Sequence, residues 1–183
     1  MDGPVYYETP HRFCDERGFF QEIYNGSRMG ESLDDHGSLP SAMVQVNHSR
    51  SKKGVLRGMH WQQPNPVGKY VTCIHGHILD VVVDIRRSSP TFKQWQGYEI
   101  DAEKGQALWV PEGFAHGFLV TSPMADVIYA QSKAFNQEGD RTLRWDDTDV
   151  AIAWPEMRRG YTISEKDRNA PLLSELSEEA LFD

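Results

Sequence analysis

The sequence has little cysteine and no long hydrophobic segment. Its 183 residues include only 2 cysteines, Cys14 and Cys73, which form no CxxC pair and are too few for a disulfide scaffold. The longest aliphatic run, residues 78–85, is interrupted by Asp80 and is far too short to span a bilayer. The first residues have neither the basic segment nor the apolar core of a secretory signal. We therefore expect a protein of the reducing cytoplasm with no membrane partner.

Positive charge is also in short supply. The chain has 19 Lys and Arg against 27 Asp and Glu, a formal net charge of −8. Such a surface repels polyanions, which argues against a nucleic-acid partner but leaves room for one basic pocket that binds a phosphate-bearing ligand. The nucleotide-binding GxGxxG and P-loop patterns, the GxSxG elbow, HExxH and zinc-type cysteine clusters are all missing. Several large enzyme classes are thereby excluded.

What the sequence does contain is a succession of short β-rich runs separated by turn residues. The length fits one domain, residues 1–183, and the spacing favours an all-β antiparallel sandwich or barrel. A loop is predicted at 26–41, one helical turn at 164–167, and a helix after Pro171 with an apolar stripe. The predicted strands are 44–47, 55–61, 69–74, 77–85, 98–100, 107–110, 114–121 and 126–132, and the stripe residues are Leu172, Leu173, Leu176, Ala180 and Leu181.

Alternation along residues 78–85 divides this predicted strand into two faces. Leu79, Val81 and Val83 share one face, which we expect to pack. Asp80 and Asp84 lie on the other, which therefore carries acids.

One histidine follows a recognisable turn. Residues 105–116 match the second motif of the cupin superfamily, in which a tight turn at 111–113 leads into a strand that points His116 into a small barrel. His75 and His77 raise the alternative of a metal site with three imidazole ligands. Gly76 between them is typical of a hairpin turn, which would leave His75 and His77 exposed at its edge.

Nine stretches closely resemble the dTDP-4-dehydrorhamnose 3,5-epimerases, a cupin family. They occur in the family's order and include DERGFFQE at 15–22, KGVLRGMHWQ at 53–62, LWVPEGFAHGF at 108–118 and SEKD at 164–167. The resemblance implies a cupin jelly roll with short flanking helical segments, a homodimer, a dTDP-sugar substrate and no cofactor. The implied reaction converts dTDP-4-dehydro-6-deoxy-D-glucose to dTDP-4-dehydro-L-rhamnose.

The same resemblance assigns roles that suit the chemistry of a 4-keto sugar, whose C3 and C5 protons are acidified. His60 is the implied base, because a histidine of ordinary pKa near ~6.5 accepts protons at neutral pH, and Asp167 is its carboxylate partner. Lys69 would stabilise the enolate oxygen and bind substrate, and Tyr129 would donate a proton. The implied substrate-binding residues are Arg17, Phe19, Glu22, Gln45, Asn47, Arg57, His116 and Lys166. Arg17 is expected to reach the pyrophosphate from the partner chain of the dimer.

Alternatives stay open at this point. A C3-only epimerase, a metal-dependent cupin oxygenase and a catalytically silent sugar-nucleotide-binding cupin fit the same motifs. Ala134 stands where an aromatic residue near the substrate is usual in the family, which bears on nucleotide selectivity and on the number of carbons inverted. Arg57 and His60 have opposite strand parity, so both can enter one cavity only if the strand bulges, and Gly58 makes a bulge plausible.

Overall fold

The computed structural model describes residues 6–27 and 43–183. Except for its first two residues, the predicted loop at 26–41 lies outside these ranges. In the described part of the chain no helix is long and apolar enough to cross a membrane.

The described residues form twelve strands, all of whose ladders are antiparallel, and little helix. Strands β4 to β11 correspond to the eight predicted runs, whereas β1, β2, β3 and β12 were not predicted. The bounds are β1 Tyr6–Glu8, β2 Arg12–Asp15, β3 Gly18–Gln21, β4 Gln45–Lys52, β5 Leu56–Gln62, β6 Lys69–His75, β7 His77–Asp84, β8 Trp95–Asp101, β9 Ala107–Val110, β10 Phe114–Val120, β11 Met124–Gln131 and β12 Asp140–Thr142, with helix α1 at Glu165–Arg168.

Ten of these strands make two facing five-stranded sheets, the jelly roll of the cupins. Sheet I has the order β1-β9-β6-β11-β4, and sheet II has the order β12-β5-β10-β7-β8. Strands β2 and β3 form a separate hairpin. The predicted all-β cupin fold is confirmed.

The core has three apolar layers rather than one. Residues of both sheets, such as Val71 and Ile78, fill the space between them. Val81 and Val83 on the outer face of sheet II pack against the C-terminal segment, and Tyr70 on the outer face of sheet I packs against N-terminal aromatic residues. Both faces of β7 are therefore buried, because each sheet is covered on both sides.

The C-terminal segment differs from the predicted helix. It contains two 3-10 turns, Leu173–Glu175 and Glu178–Ala180, separated by extended backbone at Leu176 and Ser177. The segment follows the outer surface of sheet II, where Leu173 and Leu181 are buried, so packing against a curved sheet overrides helical periodicity. The predicted turn at 164–167 is confirmed as α1, whose N-cap Ser164 accepts a 3.1 Å hydrogen bond from the Asp167 N–H.

The predicted bulge in β5 is present. His60 pairs with His116 of β10, whereas Arg57 pairs with Phe118, so three steps along β5 match two along β10. Gly58 lies inside this interval with φ +122, and a Cβ there would be 2.6 Å from the Gly117 Cα. The bulge turns both Arg57 and His60 into the same cavity.

We expect Gly58→Ala to destabilise the protein by about 3 kcal/mol, because it combines a disfavoured φ with overpacking against β10. The measurement is the free energy of unfolding in urea. Gly160→Ala is the matched control, since Gly160 has φ +71 but nothing within 4 Å of a built Cβ. Its cost should be only about 1–2 kcal/mol. Equal losses in the two variants would contradict the proposed close approach of the strands.

Candidate active site

A cavity of about 620 Å³ opens between the two sheets and collects most of the predicted site residues. Strand β5 contributes two of them, β6, β10 and β11 one each, and the α1 segment the remaining two. These residues are Arg57, His60, Lys69, His116, Tyr129, Lys166 and Asp167. A barrel interior with several convergent polar side chains is the usual form of a small-molecule site.

The shortest polar contact among these residues joins His60 to Asp167. His60 Nε2 lies 2.6 Å from Asp167 Oδ1, and Asp167 Oδ2 accepts a 3.3 Å hydrogen bond from the Gly58 N–H. The Asp167 side chain is 5% exposed and that of His60 is 30% exposed. The carboxylate thus sits behind the imidazole, which faces the cavity.

The surroundings of this pair favour a neutral imidazole and a charged carboxylate. Burial lowers the pKa of His60, Asp167 opposes this shift, and the positive charges of Lys69 and Lys166 add to it. Burial alone would raise the pKa of Asp167, but the hydrogen bond and charge of His60 and the Gly58 N–H together lower it below its ordinary value. A charged Asp167 accepts the Nε2 proton and leaves Nδ1 of His60 as the basic atom.

Lys69 is a half-buried cation at the start of β6. Its Nζ donates a 3.3 Å hydrogen bond to the backbone carbonyl of His60. Burial lowers the pKa of Lys69 to about 8, and Asp80 and Asp140 act against that shift. Lys69 is therefore still mostly charged at neutral pH, inside a site where charge acts through little water.

Tyr129 enters the cavity from the sheet opposite His60. It lies on β11 of sheet I, beside Asn47 of β4 and Val71 of β6, whereas His60 belongs to sheet II. The cavity therefore has an imidazole on one wall and a phenol on the other.

His116 forms a second histidine–carboxylate pair that the sequence did not predict. Its Nε2 lies 2.8 Å from Oδ2 of Asp80, a side chain with no solvent exposure. In the sequence, Asp80 stands out as a charged residue within a largely aliphatic strand. Alternation placed it on the same face as Asp84 but did not show that this face points into the barrel.

Gln45 and Asn47 lie next to the cavity rather than in its wall. Asn47 donates a 3.3 Å hydrogen bond to Gln131, and Gln45 accepts a 2.9 Å hydrogen bond from the Phe135 N–H. Both Gln131 and Phe135 line the cavity, and neither was predicted. Phe135, adjacent to Ala134, supplies an aromatic side chain where the sequence suggested that one was missing.

Asp140 is a further cavity residue that the sequence analysis missed. It begins β12, a strand of three residues too short to give a periodic signal, and it forms an ion pair with Lys166. This pair closes the side of the cavity next to Lys69.

Arg17, Phe19 and Glu22 lie outside the cavity of the single chain. Arg17 forms an exposed ion pair with Asp15, and Phe19 is 61% exposed with the Arg12 guanidinium 3.9 Å from its ring centroid. Glu22 follows this hairpin and accepts a hydrogen bond from Asn25. Within one chain, the structure does not bring these three to the other predicted residues.

The alternative metal site is not assembled. His75 and His77 flank Gly76 at the β6–β7 hairpin and are exposed, as expected for a turn, whereas His116 lies inside the barrel. Over residues 6–27 and 43–183, no three His, Cys, Asp or Glu side chains are placed to hold one metal ion. The structure therefore does not bring together the three histidines predicted for the oxygenase alternative.

A jelly roll whose inner cavity has an imidazole on one wall and a phenol on the other is suited to an enzyme of the acid–base type. The chain belongs to the dTDP-4-dehydrorhamnose 3,5-epimerase family, whose model matches residues 3–175. The predicted family is confirmed.

Individual relatives agree with this assignment. The dTDP-4-dehydrorhamnose 3,5-epimerase of Salmonella typhimurium is 43% identical over 91% of this chain and 88% of its own. The crystal structure of a dTDP-6-deoxy-D-glucose-3,5-epimerase from Legionella pneumophila, in complex with dTDP-4-keto-L-rhamnose, superposes with a TM-score of 0.92 at 40% identity, covering 98% of this chain and 93% of that one. A 3'-monoepimerase from Streptomyces bikiniensis bound to dTDP-quinovose gives a TM-score of 0.85 at 32% identity, covering 93% and 84%.

We predict that His60 titrates below the ordinary histidine value near ~6.5, and that Asp167→Asn lowers its pKa further, because the variant removes the charge that favours the imidazolium. Heteronuclear NMR of the imidazole resonances over pH 4–9 measures both values. Asp146→Asn, at an exposed carboxylate outside the cavity, is the control and should leave the His60 titration unchanged. A higher pKa in Asp167→Asn would contradict the assigned pairing.

Proposed function

We propose that this cavity converts dTDP-4-dehydro-6-deoxy-D-glucose to dTDP-4-dehydro-L-rhamnose by moving protons at C3 and C5 of the sugar. The observation that carries the proposal is the placement of His60 and Tyr129 on facing sheets. Inversion at carbon requires that a proton leave from one face and return to the other. The relatives named as 3,5-epimerases supply the substrate class.

The proposed base is His60. Its Nδ1 removes the proton from C3 or C5, and the resulting imidazolium is stabilised by the Asp167 carboxylate 2.6 Å from Nε2. Because burial lowers the pKa of His60, the ring is already neutral at physiological pH and needs no prior deprotonation.

The electrons released from the C–H bond move to the 4-keto oxygen, which becomes an enolate. We assign Lys69 to this oxygen, since it is a half-buried cation that lines the same cavity. A preorganised charge of this kind contributes several kcal/mol, as an order of magnitude, to stabilising the enolate. Tyr129 then delivers a proton to the opposite face of the carbon from sheet I.

The rest of the substrate is bound along the cavity and at its mouth. Arg57, His116 and Lys166 line the cavity and can donate hydrogen bonds to the sugar and the diphosphate. Gln45 and Asn47 are proposed to act at the mouth beside Phe135.

We propose a homodimer in which the β2–β3 hairpin of each chain completes the site of the other. The hairpin exposes Phe13, Phe19 and Phe20 at 60, 61 and 70%, an apolar surface that a partner would cover. Arg17 and Glu22 lie on or next to this hairpin and outside their own cavity. The partner subunit's Arg17 would then reach the pyrophosphate. The predicted cytoplasmic location stays a prediction, with which the free state of Cys14 and Cys73 is consistent.

In D2O, the protein should incorporate deuterium at both C3 and C5 of dTDP-4-dehydro-6-deoxyglucose and release the doubly inverted product, without added metal or cofactor. NMR of the sugar protons follows both positions. Exchange and inversion at C3 alone would establish the C3-only epimerase, and binding of dTDP without exchange would establish the silent binding protein.

Substitutions of the two proposed proton-transfer residues should have different effects on exchange and inversion. His60→Ala should lose exchange by about 10³-fold while still binding dTDP, because no group removes the proton. Tyr129→Phe should keep exchange but lose inversion, since His60 returns deuterium to the face from which it took the proton. His75→Ala, at the exposed hairpin, is the control with full activity. Retained exchange in His60→Ala would refute its role as the base.

Mixing two inactive variants tests the shared site. In a heterodimer of Arg17→Ala and His60→Ala, one site has an intact His60 from the first chain and an intact Arg17 from the second. Activity should therefore return once the mixed variants exchange subunits, because each heterodimer then has one intact site. If Arg17 served the cavity of its own chain, both sites of the heterodimer would be defective and no activity would return.

A further inference from the structure

Asp80 is a carboxylate deep inside the barrel. It lies in the middle of β7, pairs in register with Phe118 of β10 and Tyr98 of β8, and has no solvent exposure. Its Oδ2 contacts Nε2 of His116 at 2.8 Å, but its Oδ1 has no hydrogen-bond partner among the described residues. A buried carboxylate left half-satisfied is costly, so its presence calls for a reason.

We propose that Asp80 is a positioning residue of the reaction, which holds His116 in one tautomer and keeps Lys69 positively charged beside the enolate oxygen. This inference rests on the proposed function, because it concerns how the same site keeps its charges. Asp80 need not touch the substrate, since it acts through two residues that line the cavity.

The charges around Lys69 show why Asp80 is important. Asp80 faces it from β7, Asp140 from β12 and Lys166 from the α1 segment. His60 of β5 accepts a hydrogen bond from Lys69 through its carbonyl, and its imidazole repels Lys69 when protonated. Asp140 is ion-paired with Lys166, so much of its charge is already balanced. Asp80 is the remaining carboxylate, and its Oδ1 has no hydrogen-bond partner among the described residues.

The pKa values agree with this arrangement. Burial lowers the pKa of Lys69 to about 8, and Asp80 is the strongest opposing influence. Burial also raises the pKa of Asp80, while the charges and hydrogen bond of His116 and the charge of Lys69 act against that increase. The lysine and the carboxylate therefore stabilise one another's charged forms within the barrel.

The contact with His116 fixes which ring atom faces the sugar. A carboxylate can only accept a hydrogen bond, so a neutral His116 must carry its proton on Nε2. Nδ1 is then the remaining polar atom of a ring that lines the cavity, and it accepts a hydrogen bond from a substrate hydroxyl.

The direct test is Asp80→Asn, which keeps the size of the side chain and removes its charge. In the wild type, kcat/KM should fall on the alkaline side near pH 8 as Lys69 loses its proton. In Asp80→Asn this alkaline limb should move down by about one pH unit, because the charge that favours the ammonium is gone. Lys69→Arg should abolish the limb, since a guanidinium stays protonated.

The matched control is Asp84→Asn, at the second fully buried carboxylate of the same strand. Asp84 is hydrogen-bonded by Arg86, Ser89 and Thr91 and does not line the cavity. This variant should lower the melting temperature without moving the alkaline limb. If Asp80→Asn also lowers only the melting temperature, and the alkaline limb of its kcat/KM profile stays at the wild-type pH, the proposal is wrong.

A measurement on the unaltered protein applies even if Asp80→Asn does not fold. The ¹⁵N chemical shifts of His116 should show the neutral ring protonated on Nε2, and a ring protonated on Nδ1 would overturn the proposal. This measurement and an NMR titration of Lys69 need no substrate. If the wild type shows no exchange in D2O, the proposed function fails while these two readouts still decide the role of Asp80.

Discussion

A charge buried inside this barrel lies among apolar β-structure, and so it needs a nearby hydrogen-bond partner or a charge of opposite sign. An ionised side chain that leaves water without such compensation either loses its charge or destabilises the fold. Asp167 meets this requirement through hydrogen bonds from His60 and the Gly58 N–H, and Asp140 through Lys166. The active site is thus a set of mutually dependent pairs, and the protonation state of each group depends on its neighbours as much as on its own chemistry.

The bulge at Gly58 gives these pairs their geometry. A regular strand would direct Arg57 and His60 to opposite faces of sheet II, leaving one of them against the C-terminal segment. The extra residue in β5 turns both inward, and the Gly58 N–H that it frees from the ladder is donated to Asp167. One backbone irregularity therefore both admits a second side chain to the cavity and orients the Asp167 carboxylate behind His60.

The sequence predicted the parts of the fold that have a local signal. Strands with clear alternation and the capped turn at α1 were found, whereas β12, at three residues, has no period to detect, and the C-terminal stripe packs on a sheet without forming the expected helix. His60 and Tyr129 came from resemblance, since nothing in their immediate sequence separates them from ordinary core residues. Asp80 could be recognised in the sequence as a charged residue in an aliphatic strand. Only the structure shows that both faces of sheet II are packed, so that Asp80 is buried.

Two groups of residues, one missed by the sequence analysis and one predicted but found outside the cavity of the single chain, differ in the level of structure that they depend on. Asp80 and Asp140 are positioned by the folding of one chain, so the fold of that chain alone explains them. Arg17 and Phe19 project from a hairpin that one chain leaves exposed, and neither lines the cavity that contains Lys69. In the proposed dimer, proton transfer is therefore assembled within one chain, whereas recognition of the diphosphate uses a second. Chemistry and substrate binding would then depend on different levels of structure, and dissociation of that dimer would weaken binding while leaving His60, Asp167 and Tyr129 in place.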